Sequence, residues 1–151
     1  MEEDIFPILE LLFPDNPEIV ASLRKKSFIP QDILNLRDLS SDIDDENILD
    51  VLTCIEEDII VSIDPKLFSL EIDHLLKDNL ISGSSKKMKH RRGILIKIKS
   101  LLEGNNKGQD LEKMELSGEL LLFKDSFKDI KDRLMCEYIL QKIDFLMDDV
   151  L

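Results

Sequence analysis

ILDVLTCIEEDIIVSIDPKLFSLEIDHLLKDNL, residues 48–80, is the stretch that decides the fold class. Ile48, Leu52, Ile55, Ile59 and Ile63 recur every three or four residues, the spacing that lines up side chains on one face of an α-helix. Asp64-Pro65 interrupts the pattern. Its carboxylate is placed to cap a new helix, whose first turn tolerates proline because the missing N–H has no partner there anyway. The stripe then resumes at Phe68, Ile72, Leu75 and Leu76, with Leu80 as its last candidate member. Two helices joined by a capped break follow, each burying one face.

Working outward, the same signals recur. Toward the N-terminus, a first helix is expected over Ile5–Leu12, ended by Phe13-Pro14-Asp15-Asn16. Asn16 is a candidate N-cap and Pro17 a candidate first residue for a second helix running to about Lys26. Pro30 opens a short third helix carrying Ile33, Leu34, Leu36 and Leu39. Toward the C-terminus, Gly83-Ser84-Ser85 closes the Phe68 helix, and KKMKHRR, residues 86–92, reads as a flexible basic loop. Residues 94–102, ILIKIKSLL, fit both a strand and a helix. Helix is preferred because no other segment offers a strand partner. Gly104 ends it, GNNKG (104–108) is a loop, and Asp110 caps a helix to about Lys124. Ser126 to Asp129 resembles a capping box for a last helix carrying Ile130, Leu134, Tyr138, Ile139, Ile143, Leu146 and Val150. The expectation is all-α: a single domain over residues 1–151, a compact bundle or irregular array of about six to eight helices.

Composition agrees. Five Gly and five Pro in 151 residues are too few for a sandwich or barrel, which needs turn signals every roughly 8–12 residues. No window reaches the roughly 18–20 apolar residues of a membrane helix. The acidic start MEED does not resemble a signal peptide. An intracellular protein, cytoplasmic or nuclear, with reduced Cys54 and Cys136, is expected.

Charge is distributed in blocks. Residues 1–64 carry 17 acidic and 4 basic side chains, net −13; residues 65–109 carry 4 and 10, net +6; residues 110–151 carry 11 and 6, net −5. Phosphate repulsion opposes nucleic-acid binding by the acidic blocks, so only the middle third is suited to it.

The sequence offers no catalytic, cofactor-binding or metal-ligating set, and a non-enzymatic protein is expected. His74 and His90 have no partner at a ligand offset, and HExxH, GxSxG and CxxC are absent. The acids from Asp42 to Asp50 place Asn47 where a calcium loop needs its glycine, and carboxylates at a helix start are favoured by the helix dipole alone. The basic run is the one patch with a functional reading. Lys86, Lys87, Lys89, Arg91 and Arg92 suit a localisation signal, a dock for an acidic protein or a phosphate contact, against the alternative of a solvated loop. No aromatic interleaves them, which disfavours stacking on single strands.

The stretch LELLFPDNPEIVASLRKKSFIPQDILNL resembles a CUE domain, a three-helix ubiquitin-binding module. Leu12-Phe13-Pro14 matches its hydrophobic-Phe-Pro turn, residues 17–26 its second helix and residues 30–39 its third. The resemblance covers residues 5–39. It departs from the family where Leu12 replaces the usual Met and where Ile33, Leu34 and Leu36 stand in for the di-leucine. It implies ubiquitin as a partner, recognised by Leu12, Phe13 and Pro14, and a buried Phe13 would count against it. The main expectation is an adaptor or a small subunit of a larger complex, binding protein partners through charged and apolar helical surfaces. The alternatives are a ubiquitin-binding module and a nucleic-acid-associated protein using residues 86–92. The C-terminal stripe is too short for a coiled coil and leaves the oligomeric state open.

Overall fold

The computed structural model describes residues 6–23, 27–77, 85–104 and 110–148. Among them are eight α-helices and one 3₁₀ turn, and no strand. The all-α expectation holds. The expected helix end at Lys26, the stripe members Leu80 and Val150 and most of the GNNKG loop lie outside the described residues. The chain divides into two compact units, Met1–Ile63 and Asp64–Leu151.

The first unit holds α1 (Phe6–Leu12), α2 (Pro17–Ser22), α3 (Pro30–Ser40) and α4 (Glu46–Ser62). α1 packs on α2 and α3 on α4. The predicted stripe of α4 is buried at Leu52, Ile55 and Ile59, with Ile63 just beyond its end. Asp45 caps α4, its carboxylate accepting from the Asn47 N–H at 2.9 Å and the Ile48 N–H at 3.4 Å. One member of the acidic run therefore satisfies helix-end donors. Asn16 makes no side-chain cap to α2; Pro17 and Glu18 open that helix without it. At α3, Asp32 carries the corresponding role, accepting from the Ile29 N–H at 2.8 Å.

The second unit holds α5 (Pro65–Lys77), α6 (Ser85–Leu102), α7 (Asp110–Phe123), the 3₁₀ turn Lys124–Ser126 and α8 (Ile130–Asp148). Each of these helices packs on the next, and α8 returns to α5. The core is built from Phe68 and Ile72 of α5, Leu95 and Ile98 of α6, Leu120 of α7, and Tyr138 and Ile139 of α8. Asp64 caps α5 as expected, accepting from the Lys66 N–H at 3.0 Å. Gly104, at φ 82°, ends α6 in the left-handed conformation that side chains resist.

Two local expectations are corrected. Residues 86–92 are not a loop: they form the first half of α6, continuous with residues 94–102. Lys, Arg and Met are good helix formers, and the buried face of Ile94, Leu95 and Ile98 nucleates a helix that extends back through them. Gly93 costs about 1 kcal/mol within it, too little to break it. The N-cap of α8 is Asp129, which accepts from the Lys131 N–H at 2.9 Å. Ser126 instead donates to the Phe123 carbonyl at 2.6 Å inside the 3₁₀ turn.

Candidate functional site

The helical state of residues 86–92 sorts the basic run into two groups. At 3.6 residues per turn, Lys86, Lys87, His90 and Arg91 turn toward α7, whereas Lys89 and Arg92 fall outside the groove that the first four line. Lys86 and Lys87 are exposed; Arg91 is half-buried, its guanidinium 5.6 Å from the centre of the Phe123 ring. That distance suits a cation–π contact, which fixes the arginine against the end of α7. His90 Nε2 lies 3.3 Å from Glu119 Oε2. Lys86–Arg91 face Glu119–Phe123, whereas Ile94 and Lys97 face a set that begins at Glu115, so the two helices run antiparallel.

Between them lies a groove of two adjoining pockets. The first, about 590 Å³, is walled by Lys86, Lys87, His90 and Arg91 against Glu119, Leu122 and Phe123. The second, about 710 Å³, shares Glu119 and Leu122 and continues along Ile94, Lys97, Glu115, Leu116 and Gly118. The groove is electrostatically polarised. Its first pocket is cationic and sits at the N-terminal end of α6, where the helix dipole adds positive potential and no acidic residue occupies the first turn. Its second holds Glu115 and Glu119 against Lys97.

Next to the groove, the outer face of α7 carries exposed apolar side chains. Met114 is 60% exposed, Leu121 56% and Leu122 83%. Gly118 sits among them, and a β-carbon placed there would meet nothing within 4 Å. Sequence reasoning did not find this face, although Leu120-Leu121-Leu122-Phe123 signalled it: four consecutive apolar residues in a helix cannot all point inward.

The other predicted residues are in the first unit. Phe13 is 4% exposed, so its ring serves the core. Leu12 is half-buried and Pro14 exposed. A recognition surface there would rest on Pro14 and part of Leu12.

Four other titratable groups of the second unit are buried or paired. Cys136 is buried and its thiol is pushed up to about 12, first by burial and then by the Asp132 charge, so it stays protonated and a poor nucleophile. His74 lies 3.9 Å from the buried Asp132. Lys99 reaches Asp73 at 2.7 Å, and that bond raises its pKa. Lys124 bridges Asp125 and Glu137 at 3.2 and 3.3 Å. Among the described residues no group of His, Cys, Asp and Glu could hold a metal ion, and no helix is long and apolar enough to cross a membrane. Comparisons with protein-family models, with curated proteins and with solved structures find no match to this chain.

Proposed function

We propose that this chain is a non-enzymatic protein-interaction module, an adaptor or a small subunit of a larger assembly, whose docking face is the α6–α7 groove. The observation that carries the reading is the apolar face of Met114, Leu121 and Leu122 beside the cationic edge of Lys86, Lys87 and Arg91. Single exposed leucines are ordinary on a protein surface. Three large apolar side chains on one helix face, rimmed by charge and bordering a groove, have the anatomy of an interface. The apolar centre supplies affinity on burial, and the charged edge supplies orientation and encounter rate. The intracellular placement expected from the sequence goes with this reading.

The test is capture from a cell lysate by the intact chain, beside a variant with Lys86→Glu, Lys87→Glu and Leu122→Asp. A defined set of proteins in near-stoichiometric amount, lost in the variant while its helical circular dichroism and melting temperature are kept, supports the reading. The same set on both overturns the assignment of the face. Recovery of nucleic acid alone, falling steeply with salt, would replace it with the phosphate-binding alternative. Ubiquitin conjugates retained by the variant would move recognition to Leu12 and Pro14.

A further inference from the structure

The charges and apolar residues along the groove are arranged so that the face is complementary to itself. Met114 stands four residues before Gly118 and Leu122 four after, so both lie one turn from it on the same side of α7. Glu115 stands three before, in the pocket that also holds Glu119 and Lys97, whereas Leu122 reaches the pocket walled by Lys86 and Lys87. Lay a second α7 antiparallel across the first, crossing at Gly118. Met114 then meets Leu122 of the other copy, and Glu115 arrives at the cationic pocket, with both contacts made twice by the two-fold axis. Parallel crossing would instead set cationic pocket against cationic pocket. Gly118 at the crossing point has no β-carbon and open space above it, which lets two helix backbones approach closely. A mid-helix glycine costs about 1 kcal/mol relative to alanine, and among the described residues no close approach to Gly118 accounts for it.

We infer that the partner of the α6–α7 groove is a second copy of this chain, joined by antiparallel packing of α7 on α7 about Gly118, with Glu115 of each copy against Lys86 and Lys87 of the other. The inference rests on the groove being the docking face. Residues 64–151, which carry the groove, hold 16 acidic and 16 basic side chains, net zero, so the repulsion between two copies comes from the net −12 of residues 1–63 and is screened by salt.

Sedimentation velocity of the full chain, from about 1 to 200 μM, reads the outcome directly, a range that covers dissociation constants for weak to firm interfaces. The expected result is a concentration-dependent rise from 17.5 kDa toward twice that mass. Gly118→Leu fills the crossing point and should weaken the dimer by about tenfold or more without unfolding the monomer, since its side chain enters open space. Lys86→Glu and Glu115→Lys should each weaken it about tenfold, and the two together should restore most of the loss, as a reciprocal pair requires. A constant 17.5 kDa across the range overturns the inference, as does a dimer unmoved by Gly118→Leu. If the chain stays monomeric yet captures a different protein that Leu122→Asp releases, the docking face stands and the second copy is wrong. If neither self-association nor capture responds to changes in the groove, both fall together.

Discussion

Glu71 is half-buried on α5, and that burial holds its carboxyl above the ordinary value of 4.5. His74 pulls the other way, and the charge of Asp132 adds to the rise. A carboxyl raised by folding binds its proton more tightly in the folded chain than in the unfolded one. Stability therefore falls as pH climbs from 4.5 through the folded-state pKa, and below 4.5 the group contributes nothing because both states are protonated. At neutral pH the raised pKa of Glu71 is a standing cost to stability. Glu71→Gln should raise the melting temperature by about 1–3 °C near pH 7. The gap to the unaltered chain should close as pH drops below 4.5 in thermal scans of both proteins. A gap independent of pH would assign the effect to packing. Asp132 and Lys142, only 5% and 4% exposed, belong to the same class of residue that a sequence does not flag: nothing in the pattern of α8 distinguishes them from its exposed charges.

At the scale of elements, α6 is the helix with internal conflict. Its N-terminal half sets Lys86, Lys87 and Lys89 against the positive end of its own dipole, and Gly93 sits at its middle. A β-carbon at Gly93 would meet nothing within 4 Å, so Gly93→Ala should stabilise the chain by about 0.5–1 kcal/mol in urea denaturation followed by circular dichroism. Destabilisation instead would mean that the two halves of α6 are not one helix. The same conflict explains why the sequence misread this element. α4 and α5 announce themselves because each buries a regular stripe between clear caps, and the 94–102 segment resolves as a helix with Ile94 and Ile98 inward and Ile96 outward. A run of cations beside a glycine carries no stripe, so its helicity is inherited from the buried half that follows. The basic residues of the groove were visible as composition. Their division into Lys86, Lys87 and Arg91 on the groove and Lys89 and Arg92 off it needed the helix, and the apolar face of α7 needed the knowledge of which leucines the core had already used.

For the molecule as a whole, the net charge of −12 resides in one unit. Residues 1–63 hold 16 acidic and 4 basic side chains, and residues 64–151 balance to zero. Within the first unit Arg37 reaches Glu56 at 3.5 Å, but four cations cannot compensate sixteen carboxylates. Like charges crowded on a small helical unit repel one another and lower its stability, whereas the second unit carries mixed charge that attracts on balance. Salt distinguishes the two, because the screening length falls from about 30 Å at 0.01 M to below about 8 Å above physiological ionic strength. Hydrogen exchange of the intact chain at low and high salt should therefore diverge by unit. Amides of α3 and α4 should exchange several-fold more slowly at about 0.5 M salt, while those of α5 and α8 stay constant or exchange slightly faster as pairs such as Lys99–Asp73 are screened. An equal response in both units would mean that they open together and that the charge of the first is borne by the whole chain. A response confined to residues 1–63 would show a neutral second unit that holds its own stability and an acidic unit whose stability is set by its ionic surroundings.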